Sequence, residues 1–328
     1  MYVEDLRFSL WCDFVERSFL DGEFVELLEK KIVNGATSNP AIFKSAILTS
    51  KAYKDDIKAL AGKSAKEKYE VLATKDIKKA AKRLLPLYEK GDDGFISIEV
   101  DPFLCDDTQG TIKEGKRLFE QIGMPNVMIK VPATLAGYAA MTALTSMGIN
   151  VNATLIFSVK QTQKCLEAFS KGKNLFGGEK LPKAVISVFV SRFDRKLDKE
   201  LEKLDIPTGK VGIYNAIKVY NLIESYGLDN VRTLFASTGV KGDGLEADYY
   251  IKGLLLRNSI NTAPLNTIKY FVNSNKNVGE AQIANDIDDF FNKIEDKGIK
   301  VDKVCDDLME EGLQSFKDAF KEILNSLG

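Results

Sequence analysis

The chain has 328 residues, and its 46 basic and 47 acidic side chains nearly balance, so nothing indicates a nucleic acid or a membrane surface as partner. No stretch is apolar and long enough to cross a bilayer, and the acidic N-terminus, whose first apolar run is interrupted by Asp13, is unlike a signal peptide. The absence of histidine excludes Ser-His-Asp and Cys-His catalysis and imidazole metal ligands, so Asp, Glu, Lys, Tyr or Cys must move protons.

Strand-like runs alternate with helical patterns along most of the chain. We predict strands at 8–12, 95–100, 127–132, 149–157, 184–190 and 232–237, with a weaker eighth strand at 258–263. A further short apolar run, Ile32-Val33, leads into the segment that begins at Gly35 and supplies the second strand. Ser64 and Glu67 have the capping-box spacing and predict a long helix that reaches about Tyr88. Further helices are expected at 107–122, 134–147 and 159–171, and between the sixth and seventh strands to about residue 226.

This alternation is typical of parallel strands joined by right-handed helical crossovers. Eight such units favour a closed (β/α)₈ TIM barrel. An open, doubly wound sheet is the alternative, although the chain has no glycine-rich dinucleotide turn. We therefore predict an α/β barrel that spans residues 1–328 as one domain.

Beyond Pro264 the pattern predicts helix to the end of the chain, so that 265–328 forms a helical extension. Apolar residues recur in it at spacings of three and four, which defines one helix face. That face consists of Leu313, Phe316, Phe320, Ile323 and Leu327. We expect it to pack on the outside of the barrel, and the alternative is a homodimer contact.

Lys130 is the least expected residue of any predicted strand. It lies within Val127-Met-Ile-Lys-Val-Pro132, where the neighbouring residues indicate a strand that is buried on both faces. A charged lysine in such a strand costs several kcal/mol unless it is paired or loses its proton. One interpretation is an ordinary lysine whose stem packs on apolar residues while its ammonium group reaches water. The other is a reactive lysine at the carboxyl end of a barrel strand, where barrel enzymes hold their catalytic groups.

Other polar residues occur at the ends of nearly every predicted strand, which favours the reactive lysine. In strand order they are Asp13, Asn39, Glu99, Lys130, Asn152 with Thr154, Ser187 and Ser237. In a barrel these strand ends meet at one mouth, and packing alone does not explain so many desolvated polar groups there. A lysine with two carboxylates and several hydroxyl and amide groups is suited to Schiff-base chemistry, in which the lysine attacks a carbonyl carbon. Carboxylates can then transfer the protons.

From about Asp13 to Pro264 the chain resembles the transaldolases, which belong to the class I aldolase superfamily. The segment Gly35-Ala-Thr-Ser-Asn-Pro-Ala-Ile-Phe43 is similar to the first signature of that family, and Val127-Met-Ile-Lys-Val-Pro-Ala-Thr134 is similar to its lysine signature. Three further segments, at 149–154, 187–192 and 236–237, follow in the order of the family. The resemblance implies transfer of a dihydroxyacetone unit between sugar phosphates in the non-oxidative pentose phosphate pathway, without metal or cofactor.

The resemblance also implies a role for each matched residue. Lys130 would form the Schiff base, and Asp13 would take the C4-hydroxyl proton that triggers carbon–carbon cleavage. Glu99, with Thr154 and a water, would move protons during loss of water from the carbinolamine. The remaining matched residues would bind substrate; they are Thr37, Asn39, Asn152, Ser187 and Phe189 around the sugar unit, and Arg192 and Ser237 at the phosphate.

Two positions depart from the family pattern. Many relatives have an arginine two residues after the serine that matches Ser237, whereas this chain has Gly239. Lys241 could replace that arginine as a looser point charge, or backbone N–H groups of the loop 238–244 could bind the phosphate, or the loop could be a plain surface turn. Tyr138 also replaces an aliphatic residue, on a helix where we expect an effect on packing only.

Two other functions stay open from the sequence. One is a fructose-6-phosphate aldolase, which releases free dihydroxyacetone; those relatives are shorter and carry tyrosine at the position of Phe189. The other is a sugar-phosphate-binding barrel without catalysis, which the retention of Asp13, Glu99, Lys130 and Thr154 argues against.

The four cysteines are far apart and in no metal spacing, so we expect reduced core thiols and a cytoplasmic protein.

Overall fold

The structure is a computed structural model that describes residues 1–242, 244–274 and 278–328. Its centre is a closed barrel in which eight strands follow one another in chain order, and every neighbouring pair is parallel. This arrangement confirms the predicted TIM barrel and excludes the open sheet. The strands are β1 Ser9–Cys12, β2 Gly35–Ala36, β3 Ile96–Glu99, β4 Val127–Pro132, β5 Asn150–Ile156, β6 Ala184–Phe189, β7 Val231–Ala236 and β8 Ile260–Ala263.

Helices connect the strands and surround the barrel. They are α1 Arg17–Asp21, α2 Glu23–Glu29, α3 Pro40–Thr49, α4 Lys54–Ala59, α5 Ala65–Glu89, α6 Thr108–Ile122, α7 Leu135–Ser146, α8 Val159–Leu175, α9 Ser191–Lys203, α10 Val211–Tyr226, α11 Tyr249–Gly253, α12 Leu265–Ser274, α13 Ile287–Asp296 and α14 Val301–Leu327. Short 3₁₀ turns lie at Glu4–Leu6, Lys51–Tyr53 and Pro102–Leu104. The predicted capping box is present, since Ser64 and Glu67 exchange side-chain and backbone hydrogen bonds at the start of α5.

The strand register brings the polar residues to one level of the barrel. Glu99 pairs with Lys130 across β3 and β4, and Lys130 pairs with Asn152 across β4 and β5. Because side chains alternate between the two faces of a strand, residues paired in this way point to the same side of the sheet. Thr154 lies two residues further along β5 and therefore points the same way.

The backbone departs from regular strand geometry at two places near this level. The β5–β6 register shifts between Ala153 and Ile156, and Leu155 within that shift has φ 59°. Ser237, directly after β7, has φ 56°. Non-glycine residues in the left-handed region cost on the order of 1–3 kcal/mol, and such strain is concentrated at functional sites. Both residues lie where strands give way to the loops of the barrel mouth.

The C-terminal part of the chain differs from the prediction in two ways. The described residues 278–286 are not helical, so the helix predicted beyond Pro264 is interrupted before α13. The apolar face of α14 is buried as expected, with Phe316, Phe320 and Ile323 each at most 5% exposed. However, α14 contacts α3, α5 and α9 and also the strand β5, so it lies across the carboxyl end of the barrel as well as along its side.

The cysteines are free thiols in buried positions, as expected; they are Cys12, Cys105, Cys165 and Cys305. Within the described part of the chain, no helix combines the length and the apolar character needed to cross a membrane.

Candidate active site

A cavity of about 290 Å³ lies at the carboxyl ends of the strands. Most of the site residues predicted from the sequence line it; they are Asp13, Thr37, Asn39, Lys130, Ser187, Phe189, Arg192, Ser237 and Lys241. Glu99, Asn152 and Thr154 do not line this cavity and are buried in the barrel beside Lys130. The fold therefore brings residues that are far apart in sequence to one pocket and its floor.

The Lys130 side chain ends inside the barrel, not in bulk water. Only 6% of the side chain is exposed. Its Nζ donates a hydrogen bond to the Ser38 carbonyl oxygen at 3.1 Å and lies 3.6 Å from Glu99 Oε2. The interpretation of Lys130 as a surface-reaching lysine is therefore wrong, and its amine faces the cavity.

Glu99 is a buried carboxylic acid whose pKa is shifted toward neutral pH. Burial is the main cause and raises its pKa to about 7, against the opposing attraction of the Lys130 ammonium. Its Oε2 has no hydrogen-bond partner among the described residues, and the same holds for the Thr154 hydroxyl oxygen. Buried polar atoms without partners are rare, and a reacting hydroxyl or water would satisfy both.

Asp13 lines the same cavity as Lys130 and is held in place by a chain of hydroxyl groups. Thr37 Oγ1 donates a hydrogen bond to Asp13 Oδ1 at 2.6 Å. The Thr262 hydroxyl on β8 lies 2.6 Å from Thr37 Oγ1 and donates to it, because the single Thr37 hydroxyl proton is already directed at Asp13. Burial away from water raises the pKa of Asp13, while the Lys130 ammonium and the hydrogen bond from the Thr37 hydroxyl oppose that rise. A carboxylate whose proton affinity is raised accepts a proton more readily, as a general base requires.

Amide and hydroxyl groups complete the wall around Lys130. Ser187 Oγ donates to Asn152 Oδ1 at 2.6 Å, and Asn152 Nδ2 donates to Ser97 Oγ at 3.0 Å, which fixes the orientation of both groups. Asn39 caps α3, since its Oδ1 accepts the Ile42 N–H at 3.0 Å. Its amide nitrogen stays available to a ligand hydroxyl.

The other end of the cavity is cationic. The Arg192 guanidinium carbon lies 5.2 Å from the centre of the Phe189 ring, a cation–π distance. Ser237 Oγ lies 3.1 Å from Ser191 Oγ at the start of α9. Lys241 lines the cavity from an exposed position in the loop 238–244. Asp243, which belongs to the same loop, lies outside the described residues. Tyr138 lies on α7 and does not line the cavity.

Sequence reasoning missed several residues that line the cavity. They include Arg195, Thr262, Ser315 and Phe316. The Phe316 ring from α14 lies 5.7 Å from Lys130 Nζ, although its spacing indicated only a packing face. A detectable signal existed for Arg195 alone, because it follows Arg192 by three residues and so shares its helix face.

The described residues contain no group of three or more Cys, Asp or Glu side chains arranged to hold a metal ion.

Comparisons with known proteins agree with this geometry. The model of the family described as Transaldolase/Fructose-6-phosphate aldolase matches residues 10–327. A protein named Transaldolase from Campylobacter jejuni subsp. doylei is 50% identical over 333 residues, which cover 98% of this chain and 99% of the relative. A protein of the same name from Helicobacter pylori is 45% identical over 322 residues, with coverage of 98% and 99%.

Proposed function

The chain belongs to the transaldolase/fructose-6-phosphate aldolase family, and from this premise we propose that Lys130 is the nucleophile of its reaction. The activity is that of a transaldolase, which moves a dihydroxyacetone unit from sedoheptulose 7-phosphate to glyceraldehyde 3-phosphate and yields erythrose 4-phosphate and fructose 6-phosphate. The reaction belongs to the non-oxidative pentose phosphate pathway. One observation supports this assignment above all others. The Lys130 amine is buried beside Glu99 and faces a cavity that also contains the Asp13 carboxylate.

Formation of the Schiff base uses Lys130 and Glu99. The uncharged amine attacks the ketose C2 carbonyl and gives a carbinolamine, whose hydroxyl leaves as water once it receives a proton. Glu99 can donate that proton because its pKa is raised to about 7, and it can take a proton back in the later hydrolysis. Thr154, whose hydroxyl has no other partner among the described residues, orients the water involved.

Carbon–carbon cleavage uses Asp13. The carboxylate removes the C4-hydroxyl proton, the C3–C4 bond breaks, the aldose phosphate leaves, and the electron pair passes into the protonated Schiff base to form an enamine. The enamine then attacks the acceptor aldehyde, and Asp13 returns the proton. Asn39 and Ser187, which line the cavity, hold hydroxyls of the three-carbon unit in the meantime, together with Asn152, whose Oδ1 accepts the Ser187 hydroxyl. The Phe189 and Phe316 rings limit access of water.

Replacing Glu99 with glutamine should remove an ionisation near pH 7 from Schiff-base formation. In the folded protein the Glu99 carboxyl loses its proton as pH rises through about 7, so the donor form disappears above that pH. The wild-type rate divided by the Glu99→Gln rate should therefore fall as pH rises from roughly 6 to 8. Single-turnover trapping with borohydride at several pH values measures both rates. A ratio that stays constant would remove Glu99 from this step.

Substitution of Gly312 should disturb the phosphate end of the site. A Cβ there would lie 2.9 Å from Leu155 Cδ2 and 3.2 Å from an Arg192 guanidinium nitrogen, so α14 can approach only because this residue has no side chain. We expect Gly312→Val to cost about 1–3 kcal/mol of stability and to raise KM for fructose 6-phosphate. Thermal unfolding and steady-state kinetics test this, with Gly312→Ala as the milder variant. Unchanged KM in the valine variant would show that α14 does not position Arg192.

A fructose-6-phosphate aldolase is the second candidate, since the matching family model includes that activity in its description. The presence of phenylalanine at 189, in contact with Phe157, favours transfer over release, because a phenylalanine ring has no hydroxyl group that could donate a proton to the enamine. A coupled assay with fructose 6-phosphate and erythrose 4-phosphate, which follows glyceraldehyde 3-phosphate, distinguishes the two. Free dihydroxyacetone formed without acceptor, at a rate comparable to transfer, would favour the aldolase.

The remaining expectations are part of the same proposal. We place the enzyme in the cytoplasm, as one domain over residues 1–328, and without metal or cofactor. Leu48, Phe103, Leu135 and Met147 are among the exposed large apolar side chains. A homodimer that covers such residues stays a hypothesis, and light scattering coupled to size-exclusion chromatography tests it.

A further inference from the structure

Two guanidinium groups share the cationic end of the active-site cavity. Arg192 and Arg195 both line it, and Arg195 follows Arg192 by three residues on α9, so the two side chains leave the helix on one face. They are close enough for like-charge repulsion from Arg195 to contribute to a lowered pKa of Arg192, after burial as the larger cause. Without a bound anion, the two positive charges repel each other.

No carboxylate within the described part of the chain neutralises either arginine at contact distance. No described ion pair within 4.0 Å involves Arg192 or Arg195, and the nearby Glu311 instead pairs with Lys196 at 2.6 Å. Among the described residues, Arg195 makes a single long hydrogen bond, 3.4 Å from its Nε to the Ser191 carbonyl oxygen. Its terminal nitrogens are therefore available to an anion in the cavity.

The position where many relatives carry an arginine cannot simply receive one here. A Cβ on Gly239 would lie 3.0 Å from Pro264 Cγ and 3.4 Å from Pro264 Cδ, so even the first atom of a side chain would press on the proline. Lys241 lies on the cavity rim at an exposed position and offers an ammonium point charge without a guanidinium's planar fork. The second fork at this site comes from α9 instead.

We propose that Arg195 is a second phosphate-binding residue, which together with Arg192 forms a two-arginine clamp on the phosphate of donor and acceptor sugars. This inference rests on the proposed function, since it assumes a sugar phosphate whose carbonyl end reaches Lys130. A phosphate dianion offers three terminal oxygens, and two guanidinium forks can engage it with parallel charge-assisted hydrogen bonds. Because the two arginines and Lys130 line one cavity, the clamp selects phosphorylated over unphosphorylated sugars.

The test compares Arg195→Gln, Arg195→Lys and the control Lys203→Gln, which removes an exposed cation at the far end of α9. For each variant, kcat/KM is measured with erythrose 4-phosphate and with unphosphorylated erythrose as acceptors. In Arg195→Gln the preference for the phosphorylated acceptor should fall about tenfold or more, mainly through KM. Arg195→Lys should recover part of that preference, and Lys203→Gln should retain all of it. An unchanged preference in Arg195→Gln overturns the clamp.

A parallel readout separates failure of the clamp from failure of the proposed function. Borohydride in the presence of free dihydroxyacetone, which carries no phosphate, should label Lys130 equally in the wild type and in Arg195→Gln. Labelling of both with an unchanged acceptor preference refutes Arg195 alone. Absence of labelling in the wild type refutes the Schiff base and, with it, the clamp.

Discussion

Replacement of Lys130 by methionine should lower kcat for transfer by about 10⁴-fold or more. No other described lysine lies beside Glu99 with its amine on the cavity, so no neighbouring amine can replace it. Methionine has a similar length and fills the same buried space. Single-turnover and steady-state assays with fructose 6-phosphate and erythrose 4-phosphate measure the loss.

The fold of Lys130→Met should remain intact. Removing one partner of a buried ion pair destabilises a fold when the remaining charge stays uncompensated, so the outcome here depends on the protonation of Glu99. Without the ammonium, the pKa of Glu99 should rise further above 7, so that its carboxyl stays neutral and tolerates burial. Thermal unfolding should therefore give a midpoint at or above that of the wild type. Activity above about one per cent of wild type in a folded variant would contradict a covalent role for Lys130.

Replacement of Asp13 by asparagine should separate the two halves of the reaction. The amide keeps the size of the carboxylate and can still contact Thr37, but it cannot take the C4-hydroxyl proton. We expect carbon–carbon cleavage to slow by about 10²–10⁴-fold, the usual range for loss of a general base. Borohydride trapping of the substrate on Lys130 should persist, because Schiff-base formation uses Glu99.

The control for Asp13 is Thr37→Val, which removes the hydroxyl that orients the carboxylate and leaves the carboxylate itself in place. Its cleavage rate should fall less than that of Asp13→Asn. If trapping and cleavage fell to the same extent in Asp13→Asn, Asp13 would be a substrate-binding or structural residue and not the base of the cleavage step.

The sequence was sufficient to predict the barrel because its strands carry apolar residues on both faces. The β4 strand is the clearest case, since its apolar run predicts a doubly buried strand and makes Lys130 conspicuous. β2 was harder to delimit, because only Gly35 and Ala36 form it and the polar residues of the signature follow at once. The segment 278–286 was wrongly predicted as helix, although Gly279 and Asn285 within it are residue types that commonly end helices.

The chemistry at the strand ends was also accessible from sequence, but the contributions from distant elements were not. Phe316 has the spacing of a packing residue, and only the three-dimensional path of α14 across the barrel end brings its ring near Lys130. Thr262 lies on the weakest predicted strand, and its contact with Thr37 depends on closure of the barrel between β1 and β8. Arg195 shares a helix face with Arg192, yet only the three-dimensional structure reveals that none of the described carboxylates neutralises the two side chains at contact distance.

The covalent role of Lys130 can be tested by borohydride reduction in the presence of fructose 6-phosphate, followed by peptide mass spectrometry. We expect one added three-carbon unit per chain, on the peptide that contains Lys130, and no such addition in Lys130→Met. Transfer activity without any adduct, or an adduct on a different lysine that survives in Lys130→Met, would contradict it.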